Sequence, residues 1–304
     1  MAIRKLSELA LAVKAKGTKT RIAVVSAEDS NTLGAIIRAA VEEFVSPILL
    51  GSKDKIMALC EAEELPCHEG WIIDCASEVE AAKKAVEMVR GGEADVLMKG
   101  LIGTDKFLKA VLDKEKGLLP PKAVMSYVCA LELPRYDKLL FVSDTAVLPY
   151  PNLDQLIAMT NYAVRMAHRF GIEQPKVALI SATEKPGAAF PASLDYAMIT
   201  KMAERGQIKD CIIDGPLDIF LACDPSSLEI KGVDTPIGGD ADVLIFPNIE
   251  AANSFYKGLM LFAGGELAGL IQGTIAPVVV MSRSESAESK YYCIALSCLM
   301  AEER

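Results

Sequence analysis

RIAVVS, residues 21–26, is an unbroken buried-strand run that gives way to helical spacing from Asn31 to Phe44. A strand too apolar to face water on either side, followed at once by a helix, is the opening of a βα unit in a helix-covered parallel sheet. The alternation continues with strand runs at 47–50, 71–75 and 94–98 and amphipathic helices at 53–64 and 78–90. A second copy of the pattern follows. RIAVVSAED (21–29) matches KVALISATE (176–184), and ADVLMKG (94–100) matches ADVLIFP (241–247) at a nearly equal offset. The expected fold is α/β: two related parallel-sheet halves whose strand ends face a crevice, where such sheets bind ligands.

Between the halves, residues 124–131 and 138–142 are β-like, with no helix-length segment between them and with Pro120, Pro121 and Pro134 around them. They read as an antiparallel pair at a sheet edge or as a link to the second domain. A long helix is predicted over 153–170, closed by Gly171, and then strands at 176–181, 211–214 and 241–246 with helices at 191–205 and 249–262. Thr104, after the turn at Gly103, reads as a helix N-cap. The last strand is predicted at 275–281 and the last helix at 287–300. The domain expectation is 1–145 with 280–304 as one α/β domain and 146–279 as the other.

Composition narrows the function. With 51% hydrophobic residues but only 6% aromatic ones, the cores are built from Ala, Val, Ile and Leu. A net charge of −9 gives no basic field for a nucleic-acid backbone. The eight cysteines include no C-x-x-C pair, and the two histidines, His68 and His168, are not at metal spacing, so reduced thiols, a cytoplasmic setting and no metal are expected. Glu266, Gln272 and Pro277 interrupt the apolar 258–281 stretch, and Leu6 to Val13 is too short for a signal peptide, so neither a membrane span nor a leader is expected. The first strand is followed by SAEDSNTLG, without the glycines of a dinucleotide loop or the lysine of a Walker motif.

What remains is a set of polar residues at strand ends: Lys99, Ser143 and Asp144, Ser181 to Lys185, Asp214, Asp240 and Asp242, Asn248 and Glu250, and Ser282 with Arg283. The last pair follows the apolar run IAPVVVM (275–281) directly. A helix starting there aims its unpaired N–H groups beyond the strand, and an arginine adds a fixed positive charge, which together outline an anion site. Each residue also has a bland role. Lys99 can be a solvated loop lysine, Ser282-x-x-Glu285 a capping box, Asp214 a turn residue and Glu250 a carboxylate on a helix dipole.

Five segments carry a resemblance: VLMKGLIGT (96–104), FVSDTAV (141–147), IIDGPL (212–217), GGDADVLIFPNIEAANSFYKGL (238–259) and SRSESAESK (282–290). They resemble the phosphate acetyltransferase and phosphate butyryltransferase family, and the last two are closer to the butyryltransferase branch. The resemblance implies a two-domain fold of the isocitrate/isopropylmalate dehydrogenase type with its active-site cleft between the domains. It implies the reaction acyl-CoA + phosphate = acyl phosphate + CoA, by direct transfer in a ternary complex, with butyryl-CoA or another short-chain acyl-CoA as substrate. No cofactor is implied, since coenzyme A is a substrate, and a homodimer or larger homo-oligomer coupled to an acyl-phosphate kinase is expected.

By the same match Arg283 binds phosphate and polarises the acyl carbonyl, and Ser282 bonds the CoA sulfur or the tetrahedral intermediate. The acetyltransferase branch has an aspartate in the next helix as base; a direct count lands on Ser289, and Glu288 beside it is the candidate base, with an exposed helix carboxylate as its alternative. Substrate contacts are expected from Lys99, Gly100, Thr104, Ser143, Asp144, Ser181, Asp214, Asn248, Glu250, Asn253 and Lys257. Phe220 and Leu221 stand where butyryltransferase relatives carry an Asp-Asn pair. Competing readings are a phosphate acetyltransferase acting on acetyl-CoA, a non-catalytic CoA- or acyl-phosphate-sensing module, and a metal-dependent hydroxyacid dehydrogenase, for which Asp214, Asp240 and Asp242 are too scattered.

Overall fold

The computed structural model describes residues 2–281 and 285–301. In chain order it forms α1 (Leu9–Lys14), β1 (Thr20–Val25), α2 (Ser30–Val41), β2 (Val45–Gly51), α3 (Lys53–Ala62), β3 (Ile72–Asp74), α4 (Glu78–Gly91), β4 (Val96–Lys99) and α5 (Thr104–Val111). There follow β5 (Ser126–Glu132), β6 (Leu140–Ser143), α6 (Leu153–Arg169), β7 (Lys176–Ile180), α7 (Pro191–Glu204), β8 (Ile212–Leu217), α8 (Ile219–Cys223) and α9 (Pro225–Lys231). The chain closes with β9 (Val243–Ile245), α10 (Ile249–Ala263), β10 (Glu266–Gln272), β11 (Val278–Val279) and α11 (Ala287–Met300). Two compact units result: unit I from Leu6–Met125 and Leu267–Arg304, unit II from Met1–Lys5 and Ser126–Glu266. Among the described residues no helix is long and apolar enough to cross a membrane.

Unit I orders its strands β3-β2-β1-β4-β11-β10, parallel except for β10, which runs against β11. Unit II orders them β5-β6-β9-β7-β8, parallel except for the β5–β6 pair. The strand runs are completely buried, as two covered faces require: Ile22 to Val25, Val96 to Met98 and Val243 to Ile245 all lie within 0% exposure.

The matched sequence segments make matched contacts. In unit I the backbone N–H of Arg21 donates to Asp95 Oδ2 at 2.8 Å, and the N–H of Asp95 returns a bond to the Arg21 carbonyl at 2.8 Å. In unit II the N–H of Lys176 donates to Asp242 Oδ2 at 2.8 Å, and that of Asp242 to the Lys176 carbonyl at 2.8 Å. The matched sequences therefore make matched clasps between the first strand of each copy and its parallel neighbour. The Arg21 guanidinium adds bonds of 3.0 and 2.6 Å to Asp95, and its pKa is raised chiefly by that bond.

The compact units break at 5/6, 125/126 and 266/267: the β5–β6 pair joins the parallel set of unit II, and β10 pairs with β11 in unit I. β10 itself lies in what reads as one long apolar run, where no period distinguishes it. Two expectations about element ends are corrected. The final strand is only Val278–Val279, whereas α11 spans Ala287–Met300 as expected, with Ser286 as cap, its hydroxyl accepting from Ser289 N at 2.9 Å. Gly103, not Thr104, is the N-cap of α5.

α11 packs on α2 through an ionic cluster. Glu42 accepts from Lys14 at 2.7 Å, from the Tyr291 hydroxyl at 2.7 Å and from Arg38 at 3.2 Å. Arg38 lies 3.8 Å over the Tyr291 ring and reaches Glu288 at 2.6 Å. Burial pushes the Glu42 carboxyl up, but these three donors outweigh it and hold it below the ordinary range. A carboxylate with a depressed folded-state pKa contributes stability above its unfolded value of about 4.3 and loses it as pH falls through the folded value. Glu42→Gln is thus expected to lower Tm at pH 7, the difference from wild type closing on acidification below about pH 4 in thermal melts. Asp95→Ala should cost about 1.5–3 kcal/mol through the loss of charged hydrogen bonds, with Asp95→Asn recovering part of it because an amide oxygen still accepts from Arg21 N.

Candidate functional site

Unit I gathers polar groups at the carboxyl ends of β1, β4 and β11. The register sets Val25 beside Lys99 and Met98 beside Val279, so the three neighbouring strands end at nearly one level. After β1 the chain turns through Ser26, at φ 54°, and reaches Asp29, which caps α2 by accepting from Thr32 N at 2.9 Å. After β4, Gly100 N donates to the Val25 carbonyl at 2.9 Å and Leu101 N to the Ser26 carbonyl at 2.8 Å. Only glycine allows that approach: a Cβ at position 100 would lie 2.3 Å from the Ser26 carbonyl oxygen.

A cavity of about 200 Å³ opens at this level, lined among others by Asp29, Thr32, Lys99, Gly100, Met281 and Lys290. Lys99 is 7% and Lys290 5% exposed, an unusual depth for ammonium groups. Lys99 Nζ donates to the Gly100 carbonyl at 3.2 Å. Lys290 Nζ sits 3.9 Å from Asp29 Oδ1. The N-terminus of α2 opens on the same space, with Asn31 and Thr32 in its lining. Two ammonium groups, one carboxylate and a helix N-terminus make a local field that favours an anion.

Of the predicted residues, Lys99 and Gly100 come together here. Ser282 and Arg283 lie outside the described residues; Met281, which lines the cavity, immediately precedes them in the chain. Thr104 is exposed at the start of α5. Glu288 is half-exposed and paired with Arg38, so its carboxylate has a structural partner. Ser289 is buried and accepts from Leu267 N at 3.2 Å. Lys290 has no role assigned from the sequence, although a signal exists: it is the one cation of α11 and directly precedes the nearly all buried, uncharged stretch Tyr291 to Leu299.

Unit II holds the remaining candidates. Ser143 ends β6, and Ser181 and Asn248 follow β7 and β9, so all three lie at the carboxyl ends of neighbouring parallel strands, as expected. Their bonds are structural, however. Asp144 is 2% exposed and accepts from Ser126 Oγ and from the backbone N–H groups of Tyr127, Ala146, Val147 and Leu148; burial holds its pKa above the usual carboxylate range, with these donors only partly offsetting it. Ser143 Oγ is 3.4 Å from Ser126 Oγ.

Asp214 lies within β8 rather than at its end and accepts from Gly215 N and Thr235 Oγ1. Asn248 caps α10 through Ala251 N, and Asn253 Nδ2 donates to the Thr145 carbonyl at 2.9 Å. Glu250 accepts from Tyr150, Lys257 is exposed, and Ser181 N donates to the Leu217 carbonyl. Among the described residues no cluster of three His, Cys, Asp or Glu side chains suits a metal.

Comparison with known proteins bears directly on this geometry. Residues 68–298 match the family model described as phosphate acetyl/butaryl transferase. The chain is 40% identical to the phosphate butyryltransferase of Clostridium acetobutylicum over 98% of its length and 99% of the relative's. It is also 40% identical to the phosphate acetyltransferase of Thermotoga maritima, over 99% of this chain and 100% of that one. Among solved structures, a branched-chain phosphotransacylase from Enterococcus faecalis V583 superposes with a TM-score of 0.78 at 29% identity, covering 93% of this chain and 100% of its own. With a family match across most of its residues and relatives of this similarity along its whole length, the chain belongs to the phosphate acetyl/butaryl transferase family.

Proposed function

We propose that this protein transfers a short-chain acyl group between coenzyme A and inorganic phosphate: acyl-CoA + phosphate = acyl phosphate + CoA. The observation that carries the reading is the anion-favouring cavity at the ends of β1, β4 and β11, in a chain 40% identical throughout to a phosphate butyryltransferase. In the forward direction a phosphate oxygen bonds to the thioester carbonyl carbon, a tetrahedral oxyanion forms, the C–S bond breaks and the CoA sulfur leaves as a thiolate that takes up a proton. Both substrates are held together, so no acyl-enzyme bond is needed.

In this reading Lys99 neutralises phosphate charge, and the α2 N-terminus offers N–H donors that need no reorganisation as charge develops. Arg283 binds phosphate and polarises the carbonyl, and Ser282 bonds the sulfur or the intermediate, following the family resemblance. Glu288, engaged by Arg38, is a positioning residue that holds the start of α11 on α2, rather than the base. The unit II candidates Ser143, Ser181, Asn248 and Asn253 shape backbone at strand ends that serve the acyl-CoA side. The two units correspond, in this proposal, to the domains of an isocitrate dehydrogenase-type fold. A cytoplasmic homo-oligomer supplying an acyl-phosphate kinase completes the picture.

Butyryl and acetyl enzymes are equally similar to this chain, so the test spans both. Thiol release from acetyl- to hexanoyl-CoA should require phosphate and peak at a short chain, butyryl by preference. Arg283→Ala should lower kcat/KM by about 100-fold or more, the scale for losing a group that stabilises the developing oxyanion. Glu288→Gln should stay within roughly threefold of wild type while lowering Tm, as an exposed ion pair implies. Retained CoA binding without release from any acyl-CoA would replace the enzyme reading with a sensing module.

A further inference from the structure

Lys290 is the residue the proposed chemistry leaves unused. It comes from the first turn of α11, is 5% exposed, and lines the same cavity as Lys99, which comes from the end of β4. Burying one ammonium group is costly, and burying two against one small cavity adds mutual repulsion. Among the described lining residues Asp29 is the carboxylate facing Lys290, at 3.9 Å and beyond hydrogen-bond distance, with Oδ1 already accepting from Thr32 N at 2.9 Å. The described lining thus has one net positive charge, before the α2 N-terminus is counted.

Size selects the ligand. About 200 Å³ accommodates a tetrahedral oxyanion with its first waters and falls short of the roughly 300–1,000 Å³ that organic cofactor-sized ligands occupy. Two ammonium groups approaching from different elements, a strand end and a helix turn, can each place a donor on a different oxygen of one phosphoryl group.

We infer that Lys290 is a substrate-binding residue that, with Lys99, clamps the phosphoryl group of inorganic phosphate and of the acyl phosphate, and that Asp29 serves as its counter-ion while the cavity is empty of substrate. The inference rests on the acyl-transfer reading for its role in turnover, but not for phosphate binding itself. Arrival of the dianion moves Lys290 from Asp29 to phosphate, so Asp29 competes with the substrate. Its removal should then strengthen binding, provided the α2 cap survives, and asparagine caps as well as aspartate.

The test measures KM for phosphate and for acyl-CoA separately, alongside calorimetric titration of inorganic phosphate without CoA. Lys290→Met, which keeps the buried stem, should raise the phosphate KM and Kd by about 10- to 100-fold, the scale of a charge-assisted bond, while the acyl-CoA KM stays within about twofold. Lys290→Arg should recover part of the loss. Asp29→Asn should tighten phosphate severalfold, an outcome that misfolding cannot imitate.

An unchanged phosphate KM and Kd in a folded Lys290→Met variant would overturn the inference. So would a rise confined to the acyl-CoA KM, which would assign the cavity to a phosphate of CoA. If the wild type binds phosphate through Lys290 but releases no thiol, acyl transfer fails as the function while the phosphate clamp stands.

Discussion

One reciprocal clasp sets the geometry of each unit. An aspartate one residue into an Ala-Asp-Val-Leu strand start accepts the first N–H of the neighbouring strand and returns its own N–H to that residue's carbonyl, in unit I as Asp95 with Arg21 and in unit II as Asp242 with Lys176. Buried apolar strands carry little register information of their own, because a shifted pairing buries nearly the same area. The clasp supplies what the apolar residues lack. A charged, directional contact at the entry of the pair forbids slippage and fixes where the strands stop.

Where they stop is where the proposed phosphate site lies. With β1, β4 and β11 locked in register, the turn after β1 and the Gly100 turn come into backbone contact, α2 points its N-terminus at the shared space, and α11 delivers Lys290 into it. Lys99 and Lys290 are held at a depth that water would otherwise dispute. The α2–α11 cluster around Glu42 and Arg38 anchors the helix that carries Lys290, so the packing of unit I and the proposed phosphate site are linked through α11.

Much of this was legible in the sequence. The strand–helix alternation, the paired RIAVVS and KVALIS runs and the strand-end placement of Lys99, Ser143 and Ser181 all correspond to the structure. What was not legible follows from the kind of information each feature carries. β10 has no period, since both its faces are buried, and Gly103 caps α5 without a side chain. Asp144 reads as a substrate ligand because its sequence neighbourhood matches the family, yet only its five donors reveal an acceptor already in use. Glu288 and Lys290 stand two residues apart in one helix turn. Only the packing of α11 shows that Glu288 pairs with Arg38 at the surface while Lys290 is buried against the cavity.

The central claim is that phosphate is held at the strand ends of unit I, and the most direct measurement is a crystal structure of the protein with inorganic phosphate bound. The account predicts phosphate oxygens within hydrogen-bond distance of Lys99 Nζ and Lys290 Nζ and near the backbone N–H groups that open α2, with Lys290 drawn away from Asp29. Phosphate seated elsewhere, with this cavity holding only water, would contradict it.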